Sequence, residues 1–124
     1  MSSLTHIAAL AAAGATGTLL RAGCTTLAAR VLGTAFPWGT LAVNVAGSFA
    51  IGAVVALARS RPLPPEIESL VIVGLLGGFT TYSSFALQSV EMVQAGRSGA
   101  AIAYLAATNL LALAAVWAGL RLAG

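Results

Sequence analysis

The chain has no lysine, only three acidic residues, one histidine and one cysteine among its 124 positions. Each scarcity removes a class of function. Cys24 has no partner within the chain, so neither a disulfide framework nor a dithiol redox centre can form. His6 stands alone near the N-terminus, with no Cys/His cluster to hold a zinc-like metal. There is no phosphate-cradling loop and no nucleophile placed near a base, so an enzyme is not expected. Scarcity of charge is the most severe. Charged residues make up 7% of the chain, against about 25% in soluble domains, while 59% are hydrophobic and the mean hydropathy is +0.96. Such a chain cannot clothe a water-facing surface, and an integral membrane protein remains.

Each spanning helix takes about 20 residues, so the length allows four spans in a single membrane domain, residues 1–124. The apolar runs place them at about residues 4–29, 38–57, 66–93 and 99–120. Residues 1–9 lack a basic stretch, so the first span is expected to be retained and not cleaved as a signal. The connection Arg59-Ser60-Arg61-Pro62-Leu63-Pro64-Pro65 cannot continue a helix, and Glu66 and Glu68 suit the positive end of a new one. Short connections predict antiparallel neighbours in a compact all-α bundle. Gly47, Gly52, Gly74 and Gly78 read as places where backbones approach closely.

The net charge of +3 comes from arginines at the ends of the spans, which read as topology and headgroup signals. Arg59, Arg61 and Arg121 lie on the N-terminal side; Arg30 and Arg97 lie on the other, with Arg21 leaning that way. The two sides nearly balance, so orientation is weakly specified. Either copies insert both ways and pair as an antiparallel dimer, or a small bias orients them all.

Polar groups at membrane depth carry the rest. Gly77-Gly78-Phe79-Thr80-Thr81-Tyr82-Ser83-Ser84-Phe85 interrupts the third span with a glycine pair and a run of hydroxyls. Lipid offers unpaired backbone groups no partner, so such a break belongs where it lines a polar cavity or binds an ion. Freed carbonyls suit small hard cations; hydroxyls and N–H groups suit anions. Tyr82 and Phe85 share a helical face and present ring edges of partial positive charge. Asn44 sits in the second span one turn after Thr40, and Tyr104, Thr108 and Asn109 mark the fourth. Arg21 is either an anion-attracting charge at a vestibule or an interfacial anchor that caps carbonyls or pairs with a glutamate. No acidic residue falls within the first, second or fourth span, and Glu91 lies near the end of the third. A passive path fits this better than a proton-coupled pump.

Three motifs together resemble the CrcB/Fluc family of small fluoride channels across essentially the whole chain. They are Gly14-Ala15-Thr16-Gly17-Thr18-Leu19-Leu20-Arg21, then Gly39-Thr40-Leu41 with Asn44 and Gly47-Ser48-Phe49, and then Gly74 followed by the broken segment. The resemblance implies an antiparallel, dual-topology homodimer in a bacterial inner membrane, with two fluoride pores formed between the subunits. It implies a structural Na⁺ at the dimer centre, held by the backbone carbonyls of Gly77 and Thr80. The anion pathway would be Asn44, Tyr82, Ser83, Ser84, Phe85, Tyr104 and Thr108, with Arg21 at the vestibule. The implied function is passive fluoride export that lowers cytoplasmic toxicity. Departures are Tyr82 for a phenylalanine, Ser84 for a threonine, and Ala86 and Gln88 where serine and glutamate are common; Ala112 offers no hydroxyl beyond Thr108.

Two other four-span architectures compete. A small dual-topology multidrug or cation exchanger needs a glutamate inside the first span, and residues 4–29 contain none. A non-conducting membrane assembly subunit would need the small-residue packing but not Asn44, the broken helix and the hydroxyls together.

Overall fold

The computed structural model describes residues 1–124. In chain order it contains α1 (Ser3–Leu32), α2 (Trp38–Ser60), α3 (Pro65–Ser69), a π-helical segment (Leu70–Leu76), α4 (Gly77–Phe79), α5 (Tyr82–Gln94) and α6 (Ser98–Ala123). The pieces from α3 to α5 make one rod, Pro65–Gln94, so four helical rods are long and apolar enough to cross a membrane. The fold is all-α. At 1.5 Å per residue the 30 residues of α1 reach about 45 Å, more than the ~30 Å of a hydrocarbon core.

Local chemistry sets the ends. The Thr5 N–H donates to the Ser2 hydroxyl at 3.2 Å and caps α1. Gly33 stops the same helix at φ 80°, a conformation that side chains rarely adopt, and its N–H closes on the Ala29 carbonyl. Pro64 and Pro65 open the third rod, with Glu66 and Glu68 in its first turn.

The rods pack as two pairs, α2 with α6 and α1 with the π segment and α4. Close approach of backbones makes both seams. A Cβ on Gly52 would overlap the Val116 carbonyl oxygen, and one on Gly119 the Phe49 carbonyl oxygen. Gly17 and Gly78 do the same for α1, against the carbonyls of Leu75 and Gly14. Such contact gains dispersion energy where lipid removes the hydrophobic drive. The small apolar core, Leu41, Phe85, Met92, Ala101 and Tyr104, joins α2, α5 and α6. Only 16 of 124 residues are buried, so most large apolar side chains, Leu4, Leu113 and Leu122 among them, are left to meet lipid or another chain.

Candidate functional site

Within the stretch that interrupts the third rod, the break falls at the threonines and not at the glycine pair. The glycine pair at Gly77 and Gly78 stays helical, and the chain becomes extended at Thr80 (φ −90°, ψ 161°) and Thr81 (φ −151°, ψ 121°). Packing explains the shift. Gly78 is spent on contact with α1, whereas β-branched threonines prefer an extended backbone and take the break. Just before it, Leu70–Leu76 is π-helical, a geometry that recurs at functional sites.

Backbone partners across the break follow a definite pattern. The Thr81 N–H, which would bond the Gly77 carbonyl in an unbroken helix, donates to Asn44 Oδ1 at 2.8 Å. The Asn44 Nδ2 donates back to the Thr81 carbonyl at 3.0 Å, so one amide side chain satisfies both backbone groups of Thr81. The Ser84 N–H, which would bond the Thr80 carbonyl, donates to the Thr81 hydroxyl at 3.3 Å and caps α5. The Gly78 carbonyl accepts from Arg21 Nε at 3.0 Å. Gly77 and Thr80 lose their helical donors and gain no side-chain replacement. Carbonyl oxygens of this kind are ligands that suit a hard cation.

A cleft of about 410 Å³ lies beside the break, with Asn44, Gly77, Thr80, Tyr82, Phe85 and Thr108 among its lining residues. The Tyr82 and Phe85 rings meet edge-on, 5.7 Å between centroids and 70° between planes. Phe85 is buried, while Tyr82 is 80% exposed and projects from the chain. The Thr108 hydroxyl is buried and has no partner. An unsatisfied hydroxyl at membrane depth is expensive unless something else comes to it.

The structure thus brings Asn44, Gly77, Thr80, Tyr82, Phe85 and Thr108 to one cleft. Other candidates stand apart. Ser83 is exposed and outside the lining, and Ser84 turns its hydroxyl to Thr81 at 3.1 Å. Arg21 caps the Gly78 carbonyl, the anchoring role its sequence position left open. Tyr104 is fully buried and donates its hydroxyl to Gln88 Oε1 at 2.8 Å, one residue removed from the cleft through its edge contact with Phe85. Sequence reasoning missed Thr81, the hinge of the whole arrangement. The available signal was a threonine placed directly before a restarting helix, the N-cap pattern.

Residues 8–120 match the family described as CrcB-like protein, Camphor Resistance (CrcB). The chain is 48% identical over 119 residues to the fluoride-specific ion channel FluC of Chelativorans sp. (strain BNC1), covering 95% of each chain. It is 45% identical to the protein of the same name from Rhodospirillum centenum, covering 94% of this chain and 93% of that one. With that of Agrobacterium fabrum it shares 43% identity, covering 94% of both. These relatives are ion channels and not enzymes.

Proposed function

The chain belongs to the CrcB-like family, and on that footing we propose that it is a fluoride-selective channel that lets F⁻ leave the cell passively, lowering cytoplasmic fluoride. One observation carries the reading. The helix break that releases the Gly77 and Thr80 carbonyls also borders a cleft holding aromatic edges and an unpartnered hydroxyl. Cation ligands and anion donors therefore stand side by side.

The two kinds of group have separate tasks in this reading. Fluoride is small and strongly hydrated, so its passage needs donors dense enough to replace water. The Thr108 hydroxyl, the spare amide hydrogen of Asn44 and the edges of Tyr82 and Phe85 supply them. Ser83, Ser84 and Tyr104 extend the pathway, and Arg21 adds positive charge where it caps Gly78. The carbonyls of Gly77 and Thr80 fit a structural Na⁺, which would neutralise their oxygens and fix the position of the break.

The pore is completed by a second, antiparallel copy of the chain. The cleft is open on one side, and Tyr82, 80% exposed, projects from it beside Phe85. Two carbonyls are a scant set for Na⁺; a two-fold axis beside Thr80 doubles them. The near balance of arginines on the two membrane sides supports dual topology.

Fluoride efflux from liposomes holding the purified protein, with chloride as control, tests the reading. A fluoride-selective flux is expected, and its absence at a confirmed protein density would sink the proposal.

A further inference from the structure

α6 carries a polar side chain at a depth where lipid gives it nothing to bond. Asn109 is the twelfth of the helix's 26 residues, so it lies close to the middle of the span. It is exposed, and the side chains around it on that face, Ile102, Leu105 and Leu113, are exposed and apolar. No other residue from Ser98 up to Arg121 has an amide or a charge. An asparagine amide has two donor hydrogens and one acceptor oxygen. One hydrogen goes to the Leu105 carbonyl at 2.7 Å, one turn back along the same helix. The second hydrogen and the oxygen have no partner within the chain. A bare amide facing hydrocarbon is costly, so something polar belongs beside it.

The cleft beside the helix break reaches this residue. Asn109 lines it together with Thr108, Asn44, Tyr82 and Phe85. Thr108 supplies an independent sign of a ligand. Helical hydroxyls elsewhere in the chain spend their proton on the carbonyl one turn back: Thr16 on Ala12, Ser48 on Asn44, Ser89 on Phe85. Thr108, 7% exposed, makes no such bond, and its oxygen is buried without any partner. Its hydrogen is therefore free inside the cleft. Successive helix residues diverge by about 100°, so the two side chains stand apart, Thr108 deep against the bundle and Asn109 at the open side. Ala112 and Leu113, the other α6 residues of the lining, are apolar. Thr108 and Asn109 are thus the side-chain donors that α6 gives the cleft.

We propose that Asn109 is a selectivity-determining residue of the anion pathway: its free amide hydrogen meets the ion at the open side of the cleft, and the Thr108 hydroxyl receives it further in. This role rests on the channel reading. Its chemistry favours a small anion. Fluoride gives up a tightly held water shell on leaving bulk solution, and an N–H that approaches it closely restores part of that energy. Chloride is larger and holds its water less tightly, so the same hydrogen matters less to it. A neutral amide also lets the ion leave again, where a fixed positive charge would hold it. The bond to Leu105 pins the amide to the helix, so the remaining hydrogen is directed away from the backbone.

Initial fluoride and chloride efflux from liposomes at matched protein density tests this on the full chain, alongside size exclusion and thermal unfolding. Asn109→Leu should lower the fluoride rate about tenfold or more and narrow the fluoride-to-chloride ratio. It should leave the oligomeric state unchanged and the unfolding midpoint no lower, since leucine suits lipid better. Asn109→Ser should fare as badly, because a serine hydroxyl has one hydrogen and the Leu105 carbonyl takes it. Asn109→Gln keeps two amide hydrogens and should recover much of the fluoride rate. The series therefore counts free hydrogens, not polarity. Fluoride rates and ratios equal to the parent's in folded Asn109→Leu and Asn109→Ser overturn the proposal. So does a loss of flux that tracks a change of oligomeric state or a fall in the unfolding midpoint, which would make Asn109 an assembly contact. A parent protein without fluoride flux sinks the channel reading and this role with it, whereas a conducting parent with indifferent variants removes Asn109 alone.

Discussion

Asn44 is the residue whose loss reaches furthest, because its amide replaces both helical partners of Thr81. Asn44→Ala leaves a backbone N–H and a carbonyl unsatisfied at membrane depth. The expected cost is about 2–4 kcal/mol, read as a lower unfolding midpoint in detergent, together with loss of fluoride flux. Asn44→Asp separates the two contributions. It retains an acceptor for the Thr81 N–H but loses the donor to the Thr81 carbonyl and adds a charge, so stability should fall less than flux. A flux equal to the parent's in both variants would remove Asn44 from the pathway. Thr81→Val is milder: it loses the cap on Ser84, at about 1 kcal/mol, and keeps the Asn44 pairing through the main chain.

At the scale of elements, the two seams of small residues divide the glycines into those that cannot change and those that can. Gly52 and Gly119 lie against backbone on the facing helix, whereas Gly23 has open space around its Cβ position. Gly119→Val should force α2 and α6 apart and abolish a stable monodisperse fold. Gly23→Ala should stabilise α1 by up to about 1 kcal/mol through helix propensity alone. Comparing thermal unfolding of the two proteins checks the distinction. Much of this level was legible beforehand. Apolar run lengths gave the four rods, and Gly47, Gly52, Gly74 and Gly78 were marked as contact points, as all four are. The break lies inside the expected stretch, at its threonines and not its glycines, since glycine reads as a breaker in sequence whether it supplies a turn or a contact. The Thr40–Gln88–Tyr104 chain was not visible at all, because three residues spread over 65 positions become neighbours only once α2, α5 and α6 pack. Tyr82 was legible as unusual, and its exposed ring is consistent with a role completed by another chain.

At the scale of the whole molecule, little side-chain surface is buried within one chain, and under the dimer proposal its stability and its pore both depend on a second copy. Under the sodium proposal, replacing Na⁺ by N-methylglucamine during purification should shift the protein from dimer to monomer on size exclusion and abolish flux, and restoring Na⁺ should recover both. A dimer indifferent to Na⁺ would count against the Gly77 and Thr80 site while leaving fluoride conduction open to separate test. The pairing of Asn44 with Thr81 has a further consequence at this scale. It ties α2 to the one extended stretch of the third rod, so that under the sodium proposal the ion ligands exist only at a single axial offset between the two helices. Anything that slides one along the other by a residue dissolves the carbonyl pair. Bilayer thickness is such a variable, since mismatch is relieved by tilting and shifting helices. Flux measured across a series of lipid chain lengths should therefore pass through a sharp maximum, making the proposed channel a gauge of the membrane it sits in.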